Sequence, residues 1–306
     1  MAALTACGSE PPVAPHAHTL AASAVAQPPL KVDDDAADCP DAGYSTIQAA
    51  VDAAGAGTTI LVCAGTYAER VAISGAAKNG LQLLALGEPG TVLLDGDNPS
   101  PTVPFNHAFH LVDVSGVLIE GFTVREYFEN IKMTGGGGNT IRRNRTTAAG
   151  HDGIFAANSP RNLIEHNVSF DNPSGNACGV NVAGAGSVGN VVRYNRLINN
   201  NWGIRIQGGA TNTVAFGNVS LRNRSHGIQN VGAATTGATI DNNDALGNPT
   251  GIEVTSSSGV TVVRNRAFHS ATFDLVDGGV DNVFVNNHCE TSSPPGLCAH
   301  TEGASK

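Results

Sequence analysis

The chain has 306 residues, of which 41% are hydrophobic and only 5% are aromatic, and its formal net charge is −9. The acidic balance and the lack of a basic stripe exclude nucleic acid as an expected partner, and no apolar run approaches the roughly 18 residues of a membrane span. The apolar residues are mostly small or β-branched, and the 37 glycines allow frequent turns. This composition favours a narrow core of stacked coils over a wide globular core.

The N-terminal segment resembles the end of a bacterial lipoprotein signal peptide. Its residues Leu4-Thr5-Ala6-Cys7 match a lipobox, which implies export and a diacylated Cys7 as the mature N-terminus. A signal peptide needs a basic region and about 7–15 apolar residues before the cleavage site, so either the natural start lies upstream or the match is accidental. The stretch rich in Pro, Ala and Ser that follows is typical of a flexible tether. We therefore assign residues 1–30 to a signal remnant and tether.

A short helix is predicted after the tether. Ser45 can cap its N-terminus, and Ile47, Ala50, Val51 and Ala54 fall on one face of the helix. An apolar helix face of this kind would cover the open end of a stacked-strand fold, whose exposed edge would otherwise pair with another chain.

A phrase of the form Asn-x-apolar-x-x-Asn recurs along the rest of the chain. It occurs at 139–144, 162–167 and 190–195, and weaker copies follow. The apolar anchors of successive copies, from Leu118 through Val214 to Phe284, lie 23, 23, 28, 22, 26, 22 and 22 positions apart. Periods in the low twenties indicate a solenoid.

Each repeat carries two further strand-like phrases. In one, Gly precedes alternating apolar residues, and in the other a short strand follows the anchoring Asn. Three short strands per repeat without helical spacing predict a triangular parallel coil. The repeated Asn, from Asn144 to Asn287, is expected at a turn, where it tolerates left-handed geometry and its amide can bond along the stack. Gly121 and Gly217 are expected to take the same place.

These features resemble the pectin-lyase-like superfamily, specifically bacterial parallel β-helix repeat proteins. Residues 44–54 and 59–71 are similar to the N-terminal cap and first coil of that superfamily. The resemblance implies an all-β, right-handed parallel β-helix over residues 31–298 and a disordered tail over residues 299–306. It implies little about activity, since the superfamily contains lyases, epimerases, esterases, hydrolases and non-enzymes.

The cysteines fit an exported protein. Cys39 and Cys63 flank the predicted helix and first strand, and Cys289 and Cys298 flank a short turn. We predict disulfides Cys39–Cys63 and Cys289–Cys298 with Cys178 free, an arrangement that fits an oxidising compartment.

No metal site is predicted. Copper-site maturation proteins share this repeat fold, but the chain has only two Met residues and shows no cluster of His, Met and Cys at metal-ligand spacing. We expect no cofactor, with Ca²⁺ as the only candidate because Asp33-Asp34-Asp35 is an acidic cluster.

Equivalent residues of adjacent coils in a parallel solenoid lie about 4.8 Å apart, so the Gly-led strand displays outward ladders. We predict that seven residues form a groove along it: Lys132, His151, Asp152, Trp202, Arg205, His226 and Gln229.

In this hypothesis, Arg205 and His226 would supply the cation and the base that remove a proton beside a uronate carboxylate, and Lys132 would hold a neighbouring carboxylate. His151, Asp152, Trp202 and Gln229 would bind the substrate, with the Trp ring stacked on a sugar. Taken singly, each residue is more often a solvated surface or loop residue than a catalytic one.

Hydrolysis by paired carboxylates is not predicted. It needs two acids roughly 5–9.5 Å apart, whereas Asp152 and Glu253 on this face would stand about 19 Å apart. Arg142, Glu165 and Arg193 alternate in charge on neighbouring coils, which favours structural ion pairing.

Two functions follow from these observations. The slightly favoured one is a non-catalytic module of the cell envelope that binds glycan or serves as structure. The alternative is a lyase or epimerase acting on uronate-containing polymers, so whether the protein is an enzyme is left open. We expect a monomer, exported to the outer envelope, the cell surface or the medium, with polysaccharide as partner and membrane contact only through a lipid at Cys7.

Overall fold

The computed structural model describes residues 28–97, 106–172 and 174–299, and it is a right-handed parallel β-helix. Each coil contributes one short strand to each of three parallel sheets, which confirms the fold expected from the resemblance to the pectin-lyase-like superfamily. The first strand begins at Leu30. The lipobox with Cys7, the tether up to residue 27 and the tail from residue 300 lie outside the described residues.

The three sheets differ in strand length. Sheet A contains, within the described residues, the strands Leu30–Val32, Thr59–Val62, Gln82–Ala85, Leu118–Glu120, Thr140–Arg142, Leu163–Glu165, Val191–Arg193, Val214–Phe216, Thr239–Asp241, Thr261–Val263 and Val283–Val285. Sheet B contains Gly65–Tyr67, Val92–Asp95, Thr123–Arg125, Arg145–Thr147, Val168–Phe170, Arg196–Ile198, Val219–Leu221, Asp244–Leu246 and Arg266–Phe268. Sheet C has the longer strands Val71–Ser74, His107–Val112, Glu129–Thr134, Asp152–Ala157, Cys178–Ala183, Trp202–Gln207, His226–Val231, Thr250–Ser258 and Phe273–Val280, followed by Ser292–Ser293.

The core is a column of small and β-branched side chains that point into the coil. Ile141, Ile164 and Val192 are fully buried, as the repeat predicts. At two other anchors the prediction is wrong by one residue. Ile119 and Ala215, rather than Leu118 and Val214, align with the buried anchors of the neighbouring coils. Two adjacent apolar residues give no periodic signal to tell inside from outside.

Buried asparagines form hydrogen-bonded ladders along the axis. The longest runs through seven coils in the described part of the chain: Asn144, Asn167, Asn195, Asn218, Asn243, Asn265 and Asn287. The Oδ1 atom of each member accepts from the backbone N–H and the side-chain amide of the one before, at 2.9–3.2 Å. Stacked amides therefore satisfy one another inside the solenoid.

The left-handed residue at this turn is not the ladder Asn. A positive φ occurs one position earlier, as at His166 (56°) and Tyr194 (56°), whose side chains point outward. Gly121 and Gly217 occupy that preceding position, and Asn218 is the ladder member beside Gly217. The predicted placement of the Asn in left-handed geometry is therefore wrong. The Asn recurs because its buried amide bonds along the stack, and the residue before it makes the turn.

A helix over Ile47–Ala53 covers the N-terminal end of the solenoid. Its cap is Thr46 rather than the predicted Ser45. The carboxylate of Glu69 accepts from the backbone N–H groups of Ile47 and Gln48 at 2.7 and 2.9 Å. At the other end Lys78, which closes the 3-10 turn Ala76–Lys78, donates to three carbonyl groups of the helix. Side chains of the first coil thus hold both ends of the helix.

Both predicted disulfides, Cys39–Cys63 and Cys289–Cys298, are present, and the thiol of Cys178 is free and buried. No helix among the described residues is both long enough and apolar enough to cross a membrane.

The alternating charges on sheet A are ion pairs. Arg142 pairs with Glu120 and Arg193 with Glu165, each at 2.7 Å, and Arg264 pairs with Asp241. These contacts support the structural role predicted for them.

Candidate functional site

The outer face of sheet C carries the chemically varied side chains of the molecule. Its strands pair in register, so residues at the same strand position form straight columns. The first-position column contains His107, Glu129, Asp152, Cys178, Trp202 and His226. The fourth-position column contains His110, Lys132, Phe155, Asn181, Arg205, Gln229 and Glu253.

Glycine at the second strand position draws these strands against sheet B. A Cβ atom on Gly153 would collide with the hydroxyl groups of Thr146 and Ser169, and one on Gly203 would collide with Ser220. Neither glycine has a positive φ, so close approach and not turn geometry requires it. Asp152, which directly precedes Gly153, is fully buried.

A carboxylate–histidine cluster, made of His107, Glu129, His151 and Asp152, lies at the N-terminal part of this face. Nδ1 of His107 is 2.7 Å from Oε2 of Glu129, and Nδ1 of His151 is 2.8 Å from Oδ2 of Asp152 and 3.7 Å from Oε1 of Glu129. Nζ of Lys132 lies 3.5 Å from Oε1 of Glu129. Two buried carboxylates on adjacent coils thus share three basic neighbours.

Neighbouring groups fix the position of this cluster. The backbone N–H of Cys178 and the side-chain amide of Asn181 donate to Asp152 at 2.9 and 3.0 Å. The ring of Phe128 stacks on that of His151, with 5.3 Å between centroids. The cluster is therefore held by the two coils on either side of it.

Charge in the cluster follows from these contacts. Burial opposes ionisation of Glu129, but His107, Lys132 and His151 outweigh it and lower its pKa. The adjacent carboxylate of Asp152 raises the pKa of His151 against the opposing effect of burial. Burial, assisted by His107 and Lys132, lowers the pKa of His110 to about 4, so this imidazole is neutral near pH 7.

A second network lies further along the face. Nε1 of Trp202 donates to Nδ1 of His226 at 3.1 Å, and Nε2 of His226 lies 2.8 Å from Oε2 of Glu253. Gln229 donates to the same Glu253 oxygen at 2.6 Å. The hydrogen bond with His226 lowers the pKa of Glu253 to about 2, against the effect of burial. An imidazole that accepts at Nδ1 and faces a carboxylate at Nε2 carries its proton on Nε2.

Arg205 lies over the ring of Trp202, with 4.2 Å from Cζ to the ring centroid. Lys132 lies over Phe155 at 5.4 Å. Both cations of the fourth-position column are therefore steadied by an aromatic ring while their charged ends stay partly exposed.

The structure brings the seven predicted groove residues to one face or to the turn that leads into it. Lys132 and Arg205 lie where the Gly-led register predicts. Asp152 has no exposed area, so it lies below the surface, out of reach of a polymer on this face. His226 is engaged by Trp202 and Glu253.

Sequence reasoning missed Glu129, His107 and His110. Asn130 and Ala108 replace the marker Gly in their coils, so the signal that located Asp152 is lost there. The spacing itself was available, because Glu129 precedes Asp152 by 23 positions, as Lys132 precedes Phe155. The inference that the acids of this face are only Asp152 and Glu253 is therefore wrong.

Two carboxylates of the acidic cluster predicted as a Ca²⁺ candidate accept hydrogen bonds from the backbone. Asp33 accepts from the backbone N–H groups of Cys39 and Asp35, and Asp34 accepts from that of Thr66 at 3.1 Å. These carboxylates fasten the segment before the capping helix to the first coil.

Comparisons with known proteins agree with this architecture. A family model described as periplasmic copper-binding protein (NosD) matches residues 110–292, which is more than half of the chain. No curated protein matches the chain in sequence at a significant level.

Solved structures share the fold at low identity. Pectate lyase Pel9A matches with a TM-score of 0.61 and 15% identity, covering 90% of this chain and 82% of that one. The A-module of the Azotobacter vinelandii mannuronan C-5 epimerase AlgE4 matches with a TM-score of 0.57 and 20% identity, covering 86% and 88%. A mutant of the periplasmic alginate epimerase AlgG matches with a TM-score of 0.56 and 17% identity. The match covers 77% of this chain and 61% of the epimerase. At these identities the likeness establishes the fold alone.

Proposed function

The chain belongs to the periplasmic copper-binding protein (NosD) family, and from that premise we propose that it is an exported, non-catalytic protein that binds an acidic polysaccharide along the outer face of sheet C. The observation that carries the proposal is the fourth-position column, in which Lys132 and Arg205 stand three coils apart on one continuous face. Three coils span about 14 Å, so the two cations would hold carboxylates of different sugars in one polymer.

Arg205 is the better prepared of the two cations. Its planar guanidinium can bind a carboxylate through two parallel hydrogen bonds, and stacking on Trp202 limits the entropy lost when it does so. Because the guanidinium covers the Trp ring, Trp202 is proposed to position Arg205 rather than to stack on a sugar.

Amide groups fill the face between and beside the cations. Asn181 separates Lys132 and Arg205 in the column, and Gln207 donates to Asn181 at 3.3 Å. Such groups offer donors and acceptors to sugar hydroxyl groups. Glu253, ionised at neutral pH, would repel a polyanion and mark the end of the binding face.

The engagement of His226, the base predicted for this face, favours binding over catalysis. Removing a proton beside a uronate carboxylate needs a base that reaches it, but Nδ1 of His226 already accepts from Trp202. Nδ1 of His151 faces the carboxylate of Asp152 at 2.8 Å rather than the open face. The lyase or epimerase alternative is supported by the position of Arg205 one coil from His226 and by structural neighbours that are named as epimerases and a pectate lyase.

Export is supported by two disulfides and by a family named as periplasmic. We further propose that a lipid on Cys7 attaches the chain to the cell envelope and that it acts as a monomer.

The test is binding of the purified chain to polymannuronate, polygalacturonate and a neutral glucan, measured by isothermal titration calorimetry, with proton NMR of the same mixtures. We expect both acidic polymers to bind, the neutral glucan to bind weakly, and the affinity to fall as salt rises. Arg205→Ala should weaken binding about tenfold, in line with the loss of one charge-assisted contact. Arg196→Ala, an exposed arginine on sheet B, is the matched control and should leave binding unchanged.

Equal affinities for Arg205→Ala and Arg196→Ala would refute the proposed face. New unsaturated-sugar or epimerised signals in the NMR spectra would refute the non-catalytic assignment and establish the alternative.

A further inference from the structure

The carboxylate–histidine cluster contains more donor atoms than hydrogen bonds can explain. Glu129, His151 and Asp152 each offer one ligand atom, and the three atoms lie within 4.8 Å of one another. Glu129 and Asp152 are at least 95% buried. They come from adjacent strands in register, with His151 in the turn directly before Asp152.

The short contacts in this cluster are misaligned for hydrogen bonds. Among the described residues, Nδ1 of His151, both ring nitrogens of His107 and Oε2 of Glu129 are buried without a hydrogen-bond partner. Yet the two nitrogen–oxygen pairs are only 2.7 and 2.8 Å apart. Adjacent ligands of one metal ion, with bonds of about 2.0–2.2 Å, are separated by roughly 3 Å, and their lone pairs point at the ion instead of at each other. Nδ1 of His151 and Oδ2 of Asp152, 2.8 Å apart, are therefore close enough to contact one cation together.

We propose that Glu129, His151 and Asp152 bind one divalent transition-metal ion, with His107 supporting the second oxygen of Glu129. Asp152 is already oriented by the N–H of Cys178 and the amide of Asn181, and Phe128 fixes the ring plane of His151. Outer contacts of this kind hold ligands in place before the ion arrives. The site lies at one end of the proposed polysaccharide face but does not depend on it.

The donor set defines the class of metal. Imidazole nitrogen with carboxylate oxygen suits Cu²⁺ and Zn²⁺, whereas Cu⁺ favours thiolate and thioether sulfur. None of the three proposed ligands carries sulfur, and Met133 is buried in the core. The residues therefore fit the copper named by the family in its oxidised form and do not fit Cu⁺.

Lys132 is the group that opposes the ion. Its ammonium lies 3.5 Å from Oε1 of Glu129, where a divalent cation would meet like charge. Removing this charge should strengthen metal binding while it weakens binding of an acidic polymer. Because the two affinities are expected to change in opposite directions, the experiment can refute metal binding without refuting polysaccharide binding, and the reverse.

The experiment is titration of the chelator-treated, untagged chain with Zn²⁺ and with Cu²⁺, followed by calorimetry and by electron paramagnetic resonance of the Cu²⁺ form. We expect one ion per chain and nitrogen hyperfine lines from the imidazole of His151. His151→Gln and Glu129→Gln should each weaken binding at least tenfold, and Lys132→Met should tighten it severalfold. His166→Gln, an exposed histidine on another face, is the control and should bind as the unaltered chain does.

Three results would overturn the inference. The first is no binding of either ion at 100-fold excess over the protein. The second is unchanged affinity in folded His151→Gln, which is the safer variant because its side chain is partly exposed. The third is loss of binding in a His16→Gln, His18→Gln double variant with His151 intact, since those two histidines of the N-terminal segment form a separate candidate pair.

Discussion

Two columns of side chains run along the same solenoid with the same spacing and opposite character. The long asparagine ladder repeats one residue in seven coils, and every amide in it donates and accepts. The first-position column of sheet C changes residue from coil to coil. Its His107 and Glu129, and His151 in the adjacent turn, have buried nitrogen or oxygen atoms without hydrogen-bond partners among the described residues. The repeated column satisfies its own buried amides, whereas the column that departs from repetition lies on the face that we propose for binding.

The largest effect should come from breaking the ladder. Asn195→Ala removes the acceptor of two bonds from Asn167 and the donor to Asn218 in a dry core. We expect the free energy of unfolding to fall by about 2–4 kcal/mol, because buried groups lose their partners. Chemical denaturation measures this, with Asn176→Ala at an exposed turn as control. If the free energy of unfolding falls by less than ~1 kcal/mol in Asn195→Ala, the ladder does not stabilise the fold as proposed.

A somewhat smaller loss is expected at the glycine that draws sheet C inward. Gly203→Ala would place a methyl group against Ser220 and the carbonyl of Gly227. Overpacking of this kind costs about 1–3 kcal/mol, measurable by thermal or chemical unfolding. Gly43→Ala, where nothing lies near the added Cβ, should be neutral. Equal stability of the two variants would contradict the close approach of sheets B and C at Gly203.

The Trp202 network should give acid sensitivity. The hydrogen bond with His226 lowers the pKa of Glu253 to about 2, below the value of about 4.3 in an unfolded chain. Glu253 therefore stabilises the fold above pH ~4.3, and this contribution disappears as the pH falls toward 2. We expect the slope of stability against pH in that window to be shallower in Glu253→Gln, with the exposed Glu88→Gln as control. An unaltered slope would show that the pair is not linked to folding.

The smallest change in stability should come from His151, in the turn beside the first-position column. His151→Gln should alter the free energy of unfolding by less than about 1 kcal/mol, because the side chain is partly exposed and takes no part in a ladder. Denaturation beside the metal titration checks this. A loss as large as that of Asn195→Ala would erase the distinction between the two columns.

Features that follow from the repeat period were predicted correctly from the sequence. The repeat spacing gave the solenoid, and the Gly-led phrase correctly aligned Asp152, Cys178, Trp202 and His226 on adjacent coils. Both disulfides also followed from cysteines that flank short segments.

What the sequence concealed depends on exceptions to the period. Glu129 and His107 were not found because Asn130 and Ala108 stand where other coils have the marker Gly. The carboxylate–histidine cluster was therefore not predicted. The buried anchor was predicted at Leu118 but lies at Ile119, because both residues are apolar and the pattern does not distinguish them. The pairing of His226 with Glu253 needed side-chain directions that spacing alone does not give.

The strict register of sheet C has a consequence for how such proteins change over evolutionary time. Along this face, two side chains at the same strand position are separated by a whole number of coils, each about 4.8 Å. Duplication or deletion of one repeat between Lys132 and Arg205 would move them by one such step without disturbing either coil. On the proposed binding face, the number of repeats between two cations would set the length of polymer that they span, and the residues on each coil would set its chemistry.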